Sequence, residues 1–296
     1  MTKDLSPKEL ALLAALAEYR VLSAGQISAL GLASRQMARR RICDLMKSGH
    51  IGVVHQPFRG LAGRPENVVF LRTAGVELLK NRGELDRKVP DDVLTRIDFR
   101  TLGHQLLINW FRIHLNLTSQ HQTNLVIKYL SPTLYHDRYS TSFTDPGPVA
   151  GVIPDGIFSI SETKSGKSLL FFLEVDMATE TLSSRNSQTK DIQKKIQSYQ
   201  HMLANSGYGE FEEVLGGKFK GFRTLFVTPS KSRFDQLCRL VRSISNADFV
   251  WLTESDAIFQ RGVSAVIWVR GGNSETGSHS ILGPTLQFDC PFPTLE

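Results

Sequence analysis

Three acidic residues lie at matching positions in two neighbouring apolar segments of the chain. Asp155 is near the start of the segment IPDGIFSI, and Glu174 and Asp176 follow the apolar part of LLFFLEVDMATET. Residues two apart in a strand face the same side of a sheet, so Glu174 and Asp176 are expected to project together. The polar segment SETKSGKS between the two apolar runs predicts a hairpin that brings Asp155 alongside them.

Carboxylates held this close repel one another unless a cation lies between them. Oxygen ligands of this kind suit Mg²⁺ or Mn²⁺. The sequence therefore predicts a divalent metal site at the three carboxylates of Asp155, Glu174 and Asp176. In the alternative interpretation, Asp155 caps the turn at Gly156, and Glu174 and Asp176 pair with Lys or Arg from neighbouring elements.

Composition and charge indicate a water-soluble protein with a basic N-terminal third. The chain has 296 residues with 41% hydrophobic and 22% charged residues, and it shows no apolar h-region at its start, so we expect a cytoplasmic protein. Its three cysteines are far apart, which argues against a disulfide framework or a cysteine-based zinc site. Residues 1–90 hold 15 Lys and Arg against 8 Asp and Glu, whereas the remainder is nearly neutral. This segregation favours a polyanion-binding module joined to a second domain.

The order of elements in the basic third predicts a winged helix-turn-helix over residues 1–85. Three short helices, one starting at Ser6-Pro7, one in 21–31 and one in 32–51, precede two strand-like runs at 51–56 and 66–71. In such a module the third helix enters the DNA major groove and the hairpin contacts the backbone. We expect Met37, Ile42, Leu45 and Met46 to face inward. The candidate DNA-binding residues are Arg35, Gln36, Arg39, Arg40, Arg41, Arg59 and Arg64.

The rest of the sequence predicts a second α/β domain. A polar linker at 86–97 precedes a domain over 98–270, and a Gly-, Ser- and Pro-rich tail at 271–296 is expected to be loosely attached. Between residues 98 and 254 the pattern predicts helix, strand, strand, strand, helix, strand, helix and strand. This order is typical of an α/β fold with a central mixed sheet.

An acidic residue at the second strand and E-x-X at the end of the third resemble the PD-(D/E)xK nuclease fold. The matching residues are Pro154-Asp155 and Glu174-Val175-Asp176. The nuclease pattern places a lysine two residues after the glutamate, where this chain has Asp176. We expect that this change either adds a metal ligand or removes catalysis. A lysine from the next helix can take the missing role, with Lys195 as the first candidate and Lys190 or Lys194 behind it.

From about residue 5 to 255 the chain resembles the replication-relaxation family of plasmids and integrative elements. The resemblance rests on the motifs above, on Thr179-Glu180 and on Lys195-Ile196-Gln197-Ser198-Tyr199. It implies plasmid mobilisation or replication, with duplex or single-stranded origin DNA as partner and coupling or replication proteins beside it. Some relatives are relaxases that nick DNA at a transfer origin, so we expect a metal-dependent nicking enzyme with Asp155, Glu174, Asp176 and Lys195 as catalytic residues. In this expectation Asp155 and Glu174 hold the metal ion, and Asp176 or Glu180 completes its shell or binds a second ion.

Three alternatives to a metal-dependent nicking enzyme follow from the sequence. The first is a non-catalytic replication or transcription regulator with a degenerate nuclease fold. The second is a defence-type nuclease that cuts DNA without an origin sequence. The third is a tyrosine relaxase using Tyr135 or Tyr139 with His136, which the scattered distribution of the eight histidines argues against.

Overall fold

The computed structural model describes residues 5–54, 66–130, 153–178, 180–183, 191–284, 286 and 288–290. The chain divides into two compact units, Met1–Ile113 and His114–Glu296. This division falls later than the end of the basic module expected from the sequence, and lies within a long helix. The expected linker at 86–97 contains a short helix with Leu94 buried.

Unit 1 combines short helices with a three-stranded sheet. The sheet has the order β1-β3-β2 and is antiparallel throughout. The last helix, α6, begins in unit 1 and continues into unit 2. In chain order the elements are α1 (Pro7–Tyr19), β1 (Val21–Ser23), α2 (Ala24–Ala29), α3 (Arg35–Lys47), β2 (Ile51–Val54), β3 (Val68–Leu71), α4 (Thr73–Asn81), α5 (Asp91–Thr95) and α6 (Leu102–His121).

Serine caps define where the first three helices begin. The Ser6 side chain accepts a hydrogen bond from the Glu9 N–H, the Glu9 carboxylate accepts one from the Ser6 N–H, and Pro7 occupies the first helical turn. Ser23 and Ser34 cap α2 and α3 in the same way through their side chains. The expected second helix is confirmed with its cap at Ser23 and Gln26, and the residues before it, Val21–Ser23, pair with β3 as strand β1.

The inward face of α3 also differs from the expectation. Ala38, Ile42 and Leu45 are buried, as the helical spacing of three and four requires. Met37 and Met46, expected to face inward, are instead 39% and 44% exposed. They lie one position away from the buried stripe, so the outer face of α3 carries apolar as well as basic side chains.

Unit 2 is built on a seven-stranded mixed sheet, which confirms the expected α/β class. The strand order is β10-β9-β8-β7-β6-β5-β4; β4, β5 and β6 form an antiparallel meander, and β6, β7 and β8 run parallel. The elements are β4 (Leu125–Leu130), β5 (Gly156–Glu162), β6 (Ser168–Val175), α7 (Ile192–Ala204), α8 (Phe211–Leu215), β7 (Phe222–Thr228), α9 (Lys231–Arg242), β8 (Val250–Glu254), α10 (Ser255–Arg261), β9 (Trp268–Arg270) and β10 (Ser278–His279).

Helices α7 and α9 cover one face of this sheet. Their buried residues join a single apolar cluster with strands β5 to β9 and with α8. Phe172 lies in that cluster and contacts Tyr199, Phe211 and Phe222 at ring-centroid distances of 5.3, 5.4 and 4.8 Å. Because side chains alternate along β6, Glu174 and Asp176 follow Phe172 onto this helix-covered face.

Residues 278–282 are attached to the sheet, whereas the sequence predicts a loose tail from residue 271 onward. Ser278 and His279 form β10, which pairs antiparallel with β9. Ile281 and Leu282 are 1% and 8% exposed. Among the described helices, none is long and apolar enough to cross a membrane.

Candidate functional site

Strands β5 and β6 bring Asp155 and Glu174 to the same end of the hairpin. The register pairs Gly156 with Leu173, which places the residue before Gly156 beside the end of β6. The Asp155 backbone N–H donates to the Leu173 carbonyl at 2.9 Å, and the Val175 N–H donates to Asp155 Oδ2 at 2.7 Å. The Asp155 carboxylate is thus fixed by the backbone of the strand that carries Glu174.

Helix α7 supplies two side chains that hold the Glu174 carboxylate. Glu174 is 2% exposed. Lys195 Nζ donates to Oε2 at 3.0 Å, and the Tyr199 hydroxyl donates to Oε1 at 2.6 Å. Lys195 and Tyr199 are four residues apart and therefore lie on one face of α7. The helix begins at the cap of Asp191, whose side chain accepts from the Lys194 N–H, so the first turn positions Lys195.

Burial and charge set the proton affinities at this cluster. Burial raises the pKa of Glu174 to about 7; Lys195 opposes the rise, Asp155 adds to it, and the hydrogen bond from Tyr199 opposes it. Burial by itself would lower the pKa of Lys195, but the carboxylates of Glu174, Glu180 and Asp155 raise it above its usual value. Lys195 therefore carries its positive charge throughout the physiological range, beside an acid that titrates near neutrality.

Asp176 is paired with an arginine from a different helix. Arg233 Nε donates to Asp176 Oδ2 at 2.5 Å and Nη2 donates to Oδ1 at 3.3 Å, with both side chains buried. Asp176 Oδ1 also accepts from the Ala178 N–H at 2.9 Å. The Ser230 side chain caps α9 by accepting from the Arg233 N–H, which fixes the start of the helix that carries this arginine. The ion-pair interpretation of Asp176 therefore has a specific partner.

Glu180 links the two ion pairs. Its carboxylate lies 3.4 Å from Lys195 Nζ, and its backbone carbonyl accepts from Arg233 Nη2 at 2.6 Å. Of the other candidate lysines, Lys194 pairs with Asp191 at 3.3 Å. Lys190 lies outside the described residues, as do Thr179 of the family motif and the residues Tyr135, His136 and Tyr139 of the tyrosine-relaxase alternative.

The four predicted metal ligands do not form one carboxylate group. Among the described residues, no cluster of three or more His, Cys, Asp and Glu side chains is placed to hold a metal ion. Asp155 and Glu174, which interact electrostatically, supply two carboxylates. Mg²⁺ is commonly held by one or two carboxylates together with waters and substrate phosphates, so this donor pair fits such an ion. The chemistry of the two acids thus suits a smaller site than the sequence predicted.

The basic residues of α3 separate into exposed and internally bonded side chains. Gln36, Arg39 and Arg40 are exposed on the helix surface. Arg35 Nε donates to Glu66 Oε1 at 2.7 Å, and Arg41 Nη1 donates to the Leu32 carbonyl at 3.1 Å. The latter two side chains are therefore engaged within unit 1. The predicted hairpin residues Arg59 and Arg64 lie outside the described residues.

Glu66, which the sequence analysis did not single out, ties α2 and α3 to the start of β3. Besides Arg35, its carboxylate accepts from the Gly25 N–H at 2.8 Å and lies 3.6 Å from Arg39 Nη2. Burial raises the pKa of Glu66, but its bonds to Gly25, Arg35 and Ser23 outweigh this effect and lower it overall. Arg233 was missed likewise, since its pairing with Asp176 spans 57 residues.

The fold and the site define an α/β protein with an acid-lysine cluster at the end of a β-hairpin, preceded by a basic module of helices and a small sheet. A family model described as Replication-relaxation matches residues 13–214, which is more than half of the chain. The chain belongs to the replication-relaxation family, as the motif resemblance predicted. No curated protein and no solved structure gives a significant match to the chain.

Proposed function

We propose that this protein is a DNA-binding, divalent-metal-dependent DNA nicking enzyme that acts in the mobilisation or replication of a plasmid or integrative element. In this proposal unit 1 is a winged helix-turn-helix that finds the DNA site, and unit 2 is a PD-(D/E)xK-like nuclease. The observation that carries the proposal is the contact of Lys195 with Glu174 beside Asp155. The family membership of the chain supports a role in replication or DNA relaxation.

Asp155 and Glu174 would hold Mg²⁺ or Mn²⁺, which when bound supplies a water activated as nucleophile and neutralises charge on the phosphate. Lys195 remains protonated beside these carboxylates and is placed to bind a phosphate oxygen or orient a water. Tyr199 fixes the orientation of Glu174 through its 2.6 Å hydrogen bond. Lys195 therefore takes the role that the nuclease pattern gives to the residue at the Asp176 position.

Asp176 has a supporting role in this proposal. Its two-point contact with Arg233 connects the end of β6 to α9. Such a planar, paired contact between guanidinium and carboxylate fixes orientation as well as distance. Position 176, where the nuclease pattern has a lysine, thus carries an aspartate that stabilises the fold. The cation of the site comes instead from Lys195 on α7.

In unit 1, the exposed Gln36, Arg39 and Arg40 of α3 would contact the major groove or its phosphates. Replacing Arg39 and Arg40 by Gln should weaken binding to duplex DNA and reduce the salt dependence by about one counterion per lost phosphate contact. Changing Arg41, which bonds the Leu32 carbonyl, should instead lower stability. An unchanged salt slope in the Arg39 and Arg40 variant would refute the proposed surface.

A non-catalytic DNA-binding regulator is the second candidate function. The same contacts also support this function, because both oxygens of Glu174 accept hydrogen bonds and Asp176 is bound to Arg233. A carboxylate satisfied in this way has less need of a metal ion. In this candidate the acid-lysine cluster serves only to connect β6 with α7.

A nicking assay separates the two functions. Purified protein is incubated with supercoiled plasmids that carry or lack the element's origin, in Mg²⁺ or Mn²⁺, and open-circle product is measured. The variants are Glu174→Gln and Lys195→Ala, with Lys194→Ala as the control because Lys194 pairs with Asp191 on the same helix. We expect origin- and metal-dependent nicking that falls about a hundredfold or more in the two site variants and persists in the control.

Each other outcome of the assay has a definite meaning. Conversion of both plasmids points to a nuclease that cuts without an origin. Absence of conversion with origin binding intact establishes the regulator. Loss of nicking in Glu174→Gln together with full activity in Lys195→Ala shows that Lys195 is not the catalytic lysine.

A further inference from the structure

Unit 1 contains a cavity of about 450 Å³ between the end of α1, the residues after α5 and the start of α6. This volume is within the range of small-molecule sites in proteins. The cavity belongs to unit 1 alone and is separate from the acid-lysine cluster of unit 2. It is lined by Arg20, Val21, Arg96, Ile97, Asp98, Arg100, Thr101, Leu102 and Gln105.

The charge of the lining favours an anion. The lining contains three arginines, Arg20, Arg96 and Arg100, and a single acidic residue, Asp98. Asp98 bonds the backbone N–H of Arg100 and, at 3.4 Å, its Nε, while the Arg100 side chain stays 92% exposed. Guanidinium groups are the side chains best suited to bind phosphate oxygens in pairs.

Arg20 is held in an unusual state at this cavity. It follows the last residue of α1 with φ +64° and ψ −47°, a backbone conformation that costs free energy for any residue with a Cβ. Its Nη2 donates to the Arg96 carbonyl at 3.0 Å, whereas its buried Nε has no hydrogen-bond partner among the described residues. The strained backbone of Arg20 and its buried N–H, without a partner in the described part of the chain, both cost free energy of folding. A ligand that accepts a hydrogen bond from Nε would recover part of this cost.

The cavity also has an apolar side. Val21 and Leu102 are 2% and 8% exposed and belong to one apolar cluster, against which Ile97 packs. Since these two side chains are nearly covered, the half-buried Ile97 supplies the exposed apolar surface of the lining. A phosphate bound to the arginines would lie near this side chain, which could contact the organic part of a nucleotide.

We propose that this cavity binds a nucleotide unit, whose phosphate is held by Arg20, Arg96 and Arg100 and whose base or sugar contacts Ile97. The nucleotide is either a free mononucleotide or one unit of a DNA strand. Neither case depends on the nicking activity of unit 2.

Calorimetric titration of the full chain with deoxythymidine 5′-monophosphate and with thymidine tests the phosphate requirement. We expect saturable binding of the monophosphate and none of the nucleoside. Arg100→Gln and Arg96→Gln should each weaken binding about tenfold, because each removes a charge-assisted hydrogen bond. Arg87→Gln, which changes the same charge at an exposed position outside the lining, should bind as the wild type does.

Arg20→Gly provides a variant that should lose binding without losing stability. Glycine adopts a positive φ without the strain of a side chain, which offsets the loss of the hydrogen bond to the Arg96 carbonyl, so the melting temperature should stay about the same. Nucleotide binding should nevertheless fall about tenfold. A variant that loses binding only because it unfolds would show a lower melting temperature instead, and that result would count against the role of Arg20.

A single-stranded oligonucleotide distinguishes the two sources of the nucleotide. If the monophosphate does not bind, but the oligonucleotide binds and is weakened by the cavity variants and not by Arg87→Gln, the ligand is a unit of DNA. Monophosphate or oligonucleotide binding that is unaffected by Arg20→Gly, Arg96→Gln and Arg100→Gln overturns the proposal. Failure of both probes to bind does so as well.

Discussion

Replacement of Lys195 by methionine should destabilise the protein in a pH-dependent manner. The change removes the ammonium group 3.0 Å from Glu174 Oε2 but keeps most of the aliphatic volume of the side chain. Glu174 would then face Asp155 without its neighbouring cation. The expected cost depends on whether Glu174 is ionised, because a protonated carboxyl group has little need of an ammonium partner.

The sign of the pH effect follows from the raised pKa of Glu174. In the folded protein this pKa is about 7, against 4.5 for an unperturbed glutamate side chain. Stability linked to this group is fully present below about pH 4.5 and is lost as the pH rises through about 7, a difference of about 3 kcal/mol. Loss of the Lys195 charge moves the folded pKa higher still by about 1 to 2 units, so the variant should cost about 2 kcal/mol at pH 8.5 and less than about 0.5 kcal/mol at pH 6.

Urea unfolding at the two pH values measures this difference, in buffer with a chelator so that metal binding does not contribute. Lys194→Met is the matched control, since it removes a neighbouring ammonium group that pairs with Asp191. The double variant with Glu174→Gln should recover stability at pH 8.5, because it removes the acid that lost its partner. Equal destabilisation at pH 6 and pH 8.5, or the absence of coupling between the two substitutions, would refute the reasoning.

Three further results are expected. Arg233→Gln should lower the free energy of unfolding by about 3 kcal/mol because it leaves Asp176 buried without its cation; a double variant with Asp176→Asn that recovers no stability in urea unfolding would contradict this. Gly156→Ala should lower the melting temperature, since the added Cβ would overlap the Tyr129 ring, and Tyr129→Ala should relieve the effect; unchanged melting of Gly156→Ala would show that the strands adjust freely. Mn²⁺ at about a hundred times its Kd should stabilise the wild type by about 2.7 kcal/mol, and Glu174→Gln should lose that gain; equal stabilisation of both would place the ion elsewhere.

Regular, capped elements of this fold could be predicted from the sequence because their signals are local. The capping box at Ser6 and the apolar runs of β5 and β6 each depend on residues a few positions apart. Strand β1 could not be recognised in this way, since it has three residues and exists through pairing with β3 about 47 residues later. The buried Asn109 is similar: its amide donates to the carbonyls of Tyr19 and Val21, partners that no helical periodicity reveals.

In the candidate site, too, local arrangement could be predicted from the sequence, whereas contacts between distant segments could not. The hairpin fixed which end of the sheet carries Asp155 and Glu174, and the length of the following segment allowed Lys195 to reach them. The grouping of Asp176 with these acids rests on alternation along a strand, which gives the side of the sheet but not the partner, and that of Glu180 rests on the family motif. Which cation each acid meets depends on how α7 and α9 pack, and that packing is set by the apolar cluster as a whole.

The two ion pairs also explain why the fold is compatible with an aspartate at position 176, where the nuclease pattern has a lysine. Both acids emerge on the face covered by helices, where an unpaired carboxylate would be costly. Lys195 meets Glu174 from α7, and Arg233 meets Asp176 from α9. Glu180 contacts Lys195 through its carboxylate and Arg233 through its carbonyl, so the segment after β6 joins the two helices. A lysine at position 176 would face Arg233, and this repulsion favours the arrangement in which the cation of the site comes from α7.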